Sequence, residues 1–277
     1  MKYNIVSNDD HLLIDFSPSV YVIAININDV FELSGNAFAI TPTKVVTAFH
    51  NIYDDLGNTN TNESNVTIYR EAIICQKVTK DSTNQPYYHN PILVKLCDFS
   101  YDNDWAVLEL VKGEKCFFNQ SVQEQPMDLK YLEICPNDYL PKEGNDLKVH
   151  CYDISLFHIS NDPEEKLICY RGDFKRICLF KETSHIYRVQ DGLSQGTCGC
   201  PYISKSNMVV AMHIATFRSE SRTKNQLTEQ NIKGSVSTNS ESISTLSDES
   251  PGVNNFSYYK EGIVLSRDEK FIHHLIK

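Results

Sequence analysis

Gly196-Thr197-Cys198-Gly199-Cys200-Pro201 sets a thiol between two glycines. Glycine reaches backbone conformations that other residues avoid, so this stretch turns tightly and aims its N–H groups at one point. The residue between the glycines is then presented at the tip of the turn. A thiol placed there is a nucleophile with an oxyanion-binding backbone beside it. Such a turn needs a base, an orienting acid and a substrate groove from the rest of the chain.

The base candidate is His50, closing Ile40-Thr41-Pro42-Thr43-Lys44-Val45-Val46-Thr47-Ala48-Phe49-His50, with Gly35-Asn36-Ala37-Phe38 just upstream. A strand, a Thr-Pro turn and a second strand put this histidine at the rim of a β-hairpin, where an imidazole reaches a cleft. The acid candidate is Asp104, in Asp102-Asn103-Asp104-Trp105-Ala106-Val107-Leu108-Glu109-Leu110, immediately before a buried-looking strand. Asp102 is its rival. Each residue also has a plain structural reading, as a surface histidine after a strand or a turn aspartate at strand entry.

Composition bounds the rest. The chain has 277 residues, 41% of them hydrophobic, enough for one two-part domain or two small ones. Val, Ile, Tyr and Phe are plentiful, which favours strands. A net charge of −10 argues against nucleic acid as a partner. No apolar run has signal-peptide character or transmembrane length, so no membrane association is expected. Nine cysteines without paired spacing suit a reducing, intracellular, cytoplasmic setting better than a disulfide framework. With no CxxC pair, neither a zinc site of that type nor a cofactor is expected. Met1 suggests an independently translated protein.

Short β-type runs recur at residues 20–27, 36–40, 44–48, 66–69, 72–78, 92–96 and 105–110. A second series covers 131–135, 147–152, 167–170, 177–180, 186–189, 201–203 and 208–214. This rhythm suits closed or nearly closed antiparallel sheets. The expected organisation is an N-terminal β-unit (1–115) with His50 and Asp104, a polar connector (116–130), and a C-terminal β-unit (131–216) with Cys198. Residues 217–256, rich in Ser, Thr, Asn and Glu, read as a mobile insert. Residues 257–277 read as a last strand at 262–265, then a helix over 267–276 capped by Ser266.

His…Asp…Cys in this order, each inside its local pattern, resembles the chymotrypsin-fold proteases. The resemblance is to the cysteine-nucleophile branch seen in picornavirus-type main proteases. Residues 35–50 are similar to G-x-x-F-I-x-x…V-L-T-A-A-H, with Phe49 for the second alanine. Residues 104–110 are similar to D-I-A-L-L-K-L, with Trp105 for the isoleucine, and 196–201 to G-x-C-G-G-P, with Cys200 for the last glycine. The resemblance implies an all-β fold of two six-stranded antiparallel barrels with a C-terminal helix. It implies an endopeptidase acting on polypeptides, with Cys198 as nucleophile, His50 as base and acid, and Asp104 orienting it. Oxyanion donors would be the Gly196 and Cys198 amides. Val209-Val210-Ala211-Met212-His213-Ile214-Ala215 resembles the family's V-x-G-M-H-V-G strand, which carries a P1 glutamine or glutamate contact onto His213. Ile214, Ala215 and Thr216 would pair with an extended substrate.

Two positions depart from the pattern near the P1 pocket. Gly192 stands where trypsin-like members carry an aspartate, so a basic P1 residue is not expected, and Leu193 stands where viral-type enzymes often place threonine. Cys200 adds bulk beside the nucleophile turn. A catalytically silent relative that binds peptides or partners is the rival reading. A redox-sensing β-domain using Cys198 and Cys200 is a weaker one.

Overall fold

The computed structural model describes residues 17–28, 30–55, 66–112, 115–118, 121–139, 147–152, 154, 157, 169–174, 177–179, 186–189, 196–204, 206–219 and 257–275. The first unit runs through β1 (Val20–Ile27), β2 (Val30–Ala39), β3 (Lys44–Ala48), β4 (Tyr53–Asp55), β5 (Val66–Ile68), β6 (Glu71–Cys75), β7 (Lys77–Lys80), β8 (Pro86–His89), β9 (Ile92–Ser100) and β10 (Trp105–Leu110). Six of these strands close into a barrel, β1-β2-β3-β10-β9-β6, with antiparallel pairing throughout.

The apolar run of β1 is nearly continuous because both of its faces are covered. Tyr21, Ile23 and Ile25 join Ala37, Val45, Phe49, Ala106 and Leu108 in a cluster drawn from the first unit and Leu129. Val20, Val22 and Ala24 belong to a second cluster, shared with Ile203, Val209, Met212, Leu265 and Phe271 from the other half. Fully burying such side chains stabilises by about 1.5–3 kcal/mol each. One face of the barrel wall is therefore core between the units.

The chain continues through β11 (Lys115–Phe118), β12 (Ser121–Glu124), β13 (Leu147–Tyr152), β14 (Cys169–Phe174), β15 (Ile177–Leu179), β16 (Ile186–Val189), β17 (Pro201–Ile203), β18 (Val209–Ser219) and β19 (Ser257–Ile263). Seven of these form an antiparallel sheet in the order β14-β13-β17-β18-β19-β16-β15. A closed barrel, a second antiparallel sheet and a short C-terminal helix make up an all-β, chymotrypsin-like architecture. The first barrel has the six strands expected. The second unit is a seven-stranded sheet among the described residues, with β14 and β15 at its two edges.

Several local expectations shift. The run 72–78 divides at Gln76, because β7 leaves the barrel to pair with β8. The polar connector contains the β11–β12 hairpin. Residues 131–135 are extended chain with one parallel bridge, Ile134 to Val209. β18 continues to Ser219, opposite Ser257 of β19, so pairing runs three residues past the first expected edge of the insert and starts directly after the second. The remainder of that insert, residues 220–256, lies outside the described residues.

The C-terminal helix, α1 (Glu269–Ile272), is shorter than the expected span and has a different cap. Asp268 accepts the Phe271 N–H at 3.1 Å, while Ser266 Oγ donates to Asn137 Oδ1 at 3.2 Å. A carboxylate at the N-cap accepts from the helix's third N–H and complements its dipole. Among the described residues, no helix is long and apolar enough to cross a membrane.

Candidate active site

β3 and β10 pair with Ala48 opposite Trp105, so the residues just beyond that pair emerge at one barrel rim. His50 lies on the 3₁₀ turn Phe49–Ile52 that follows β3, and Asp104 immediately precedes β10. The Asp104 carboxylate holds both parts of His50. Oδ1 accepts the His50 N–H at 3.0 Å, and Oδ2 lies 2.7 Å from Nδ1. The Phe49 N–H donates to the Asp104 carbonyl at 3.1 Å. Asp104 has φ +49°, a left-handed conformation that aspartate tolerates better than most side chains. Asp102, its rival, is exposed two residues earlier.

The His50 side chain is half-buried, at 36% exposure. Burial lowers its pKa, but hydrogen bonds to Asp104 and Cys198, reinforced by their negative charge, outweigh that effect and push it up to about 10. The histidine is thus flanked by acceptors from both units, and the imidazolium is the favoured form between them.

The Cys198 turn depends on its glycines. Gly196 has φ +88° and Gly199 φ +86°. A Cβ at Gly199 would sit 2.0 Å from the Asn36 carbonyl oxygen. The Gly199 N–H donates to the His213 carbonyl at 2.7 Å, and the His213 N–H returns to the Cys200 carbonyl at 2.8 Å, so β18 backs the turn. Within it, the Cys200 N–H donates to the Thr197 carbonyl at 3.3 Å. Because a trans peptide opposes its C=O and N–H, the Cys198 N–H points the other way.

Two asparagines that the motif reading passed over join this turn to the first barrel. The Cys198 carbonyl accepts from the Asn36 N–H at 2.8 Å and from Asn51 Nδ2 at 3.0 Å. Asn36 is completely buried. Its Nδ2 donates to the Gly196 carbonyl at 3.0 Å and the Tyr152 carbonyl at 2.9 Å, while its Oδ1 accepts the Tyr152 N–H at 2.7 Å. Asn51 Nδ2 also donates to Thr47 Oγ1 at 3.0 Å. The available sequence signal was an amide inside an apolar strand, where asparagine is disfavoured.

Cys200 does not crowd the cleft. It packs inside the second sheet with Cys135, Val149, Cys151, Tyr202, Val210, Ala211 and Val264. Burial, then the neighbouring Cys151 thiol, raises its pKa well above the ordinary thiol value. Cys75, Cys97, Cys135, Cys151, Cys198 and Cys200 are free thiols.

His213 is fully buried on β18, with Nδ1 2.6 Å from the Tyr202 hydroxyl. Ile214 is half-buried, and Ala215 and Thr216 continue the strand. β17 pairs with β18 only as far as Met212, and β19 covers the other edge of β18. Among the described residues, no strand pairs with the first edge at 214–216. Gly192 and Leu193 lie outside the described residues. No group of three or more His, Cys, Asp or Glu is arranged to hold a metal among the described residues.

No family model and no curated protein matches the sequence. Solved structures do. The MamO protease domain of Magnetospirillum magneticum aligns at 8% identity over 95% of this chain and 98% of that one, with a TM-score of 0.46. A human pathogenic astrovirus serine protease aligns at 13% identity over 93% and 94%, with a TM-score of 0.45. The thermostable serine protease AL20, from an extremophilic microorganism, aligns at 12% identity over 73% and 86%, with a TM-score of 0.47. Two of these are named serine proteases, whereas position 198 here is cysteine.

Proposed function

We propose that the chain is a cysteine endopeptidase with Cys198, His50 and Asp104 as its catalytic triad. The observation that supports this is the placement of one imidazole between a carboxylate on its own barrel and a thiol on the other unit. An ordinary thiol has a pKa of about 8.5 and is little ionised at neutral pH. In this reading His50 takes the Cys198 proton and holds it as imidazolium, and Asp104 fixes the ring and stabilises its charge. Cys198 Sγ then attacks the scissile carbonyl. The Cys198 and Gly196 amides receive the oxyanion; losing one such donor costs roughly 2.7–4 kcal/mol in a measured case. His50 protonates the departing amine and afterwards draws a proton from the water that cleaves the thioester.

Substrate binds as an added strand on the edge of β18 at 214–216, which no strand among the described residues covers. The preferred P1 residue is glutamine or glutamate. Supporting this, the Tyr202 hydroxyl lies 2.6 Å from Nδ1 of His213, and in the tautomer where it donates there the ring carries its proton on Nε2. That proton suits a carbonyl or carboxyl oxygen on P1.

A peptide-library cleavage profile tests the assignment, with Cys198→Ala as the blank. Wild type is expected to cleave after Gln or Glu and to be alkylated at Cys198 by iodoacetamide. Undiminished cleavage by Cys198→Ala sinks the nucleophile assignment. Cys198→Ser checks the chemistry, because a hydroxyl ionises far less readily and depends more on the base; its activity should fall at least about a hundredfold.

A further inference from the structure

Asp104 has a second support, on the side away from His50. Its neighbours in the chain, Asn103 and Trp105, both donate to one carboxylate oxygen at the start of the C-terminal helix. Asn103 Nδ2 lies 2.8 Å from Asp268 Oδ2, and the Trp105 indole nitrogen lies 2.5 Å from the same oxygen. The other oxygen, Oδ1, accepts the Phe271 N–H at 3.1 Å. Asp268 is only 6% exposed, so its charge is held in the interior on three N–H donors.

The surroundings make this a rigid anchor. Trp105 is fully buried, with its ring edge-on to Phe271 at 5.5 Å. Lys270 Nζ lies 5.4 Å from the Trp105 ring and 2.9 Å from Asp98 Oδ1, and His274 Nε2 lies 3.1 Å from Asp98 Oδ2. Between the two tied neighbours, Asp104 holds its left-handed φ of +49°. For a residue with a Cβ, that conformation costs about 1–2 kcal/mol and persists only when the surroundings determine it.

We propose that Asp268 is a positioning residue that fixes the Asp104 turn through Asn103 and Trp105, and so sets how Asp104 meets His50. Its role in catalysis rests on the triad reading above; its role in orienting Asp104 does not. A carboxylate displaced from Nδ1 supports the imidazolium less well, and misplacement near 1 Å in a catalytic group costs on the order of a hundredfold in rate.

The test is the His50 titration midpoint, followed by NMR of the ring protons in folded protein, with kcat and KM measured alongside. Asp268→Asn removes a charge as well as an anchor, so Asn103→Ala is the decisive variant, because it breaks one tie and leaves the Asp268 charge in place. Both variants are expected to lower the midpoint, by on the order of one unit for Asp268→Asn and less for Asn103→Ala. Both are expected to reduce kcat with KM unchanged. Asp98→Asn removes the ion pairs of Lys270 and His274 but leaves the Lys270 bond to the Phe99 carbonyl and the Asp268 contacts, and is expected to lower Tm while the midpoint stays put.

An unchanged midpoint in Asn103→Ala overturns the proposal, whatever Asp268→Asn does, since a shift in the latter alone is direct electrostatics. An equal shift in Asp98→Asn also overturns it, since helix docking in general would then be the cause. If Asp268→Asn does not fold, Asn103→Ala and Asp98→Asn decide the matter. Should the chain cleave no peptide, the triad reading fails while the titration still tests the positioning role.

Discussion

His50 and Asp104 close on each other within the unit that carries them, with Asp268 as a support from outside it, whereas Cys198 is held largely from across the interface. On the first barrel, the paired ends of β3 and β10 place His50 and Asp104 side by side, and the Asp104 carboxylate closes on His50 directly. On the second sheet, the Cys198 turn has its glycines and its bonds to β18, but its two anchored carbonyls, at Gly196 and Cys198, accept from Asn36 and Asn51 of the first barrel. The placement of Cys198 relative to His50 is therefore set at one joint. Asn51 directly follows His50, so a single short segment carries the histidine and grips the Cys198 carbonyl.

That contrast is easiest to break at Gly199. Gly199→Ala adds a Cβ 2.0 Å from the Asn36 carbonyl oxygen and 2.9 Å from Thr47 Oγ1, at a φ of +86°. Neither obstacle is the end of a flexible side chain swinging in solvent, so the turn must leave the barrel. The expected cost is about 3 kcal/mol or more. Iodoacetamide labelling of Cys198 should become undetectable on the wild-type timescale. A variant that labels at the wild-type rate would show that the nucleophile does not depend on this close approach.

Asn36→Ala is the next largest. It removes the partner of the buried Tyr152 N–H and the side-chain donor to the Tyr152 and Gly196 carbonyls. Leaving such groups unsatisfied costs about 2–4 kcal/mol here, measurable by urea unfolding. Cys198 labelling should slow roughly tenfold, because the Asn36 backbone N–H still holds the Cys198 carbonyl. The His50 titration should move little if the two supports are separate.

The contrast also governs what the sequence revealed. Strands 20–27, 44–48 and 105–110 are found at the expected residues, because each is a dense apolar run bounded by turn chemistry. The same runs fix where His50 and Asp104 emerge, so their meeting follows from strand pairing. The joint to Cys198 was not legible. Asn36 and Asn51 act through contacts spanning more than a hundred residues, and no local pattern distinguishes a bridging amide from a surface one. The cap at Asp268 was missed for a related reason. Ser266 and Asp268 are both good caps, and only the buried Trp105 and Asn103 donors settle which carboxylate or hydroxyl faces inward.

A subtler test concerns Gly35 and Asn51. A Cβ at Gly35 would lie 2.3 Å from Asn51 Nδ2. Asn51→Ala removes one of two donors to the Cys198 carbonyl and should cost about 1 kcal/mol. Gly35→Ala alone displaces the Asn51 amide and should be worse. The two together should cost less than their sum, since the second change removes the clash. Strict additivity would mean that the Asn51 side chain does not pack against Gly35.

A titration reads both supports at once. The pKa of His50 is raised from the ordinary histidine value to about 10, by Asp104 from its own barrel and Cys198 from the other unit. A group whose pKa is higher in the folded state binds more protons there, so its stabilising contribution is complete below its unfolded value of about 6.5. That contribution is lost as pH rises through the folded value. The stability difference between wild type and His50→Gln should therefore shrink steadily from about pH 6.5 to 10. In the Cys198→Ala background the upper edge of this window should move down, because only Asp104 still supports the imidazolium. An upper edge that stays in place would mean that His50 is charged by its own barrel alone, and that the joint through Asn36 and Asn51 aligns the thiol without contributing to the proton's affinity.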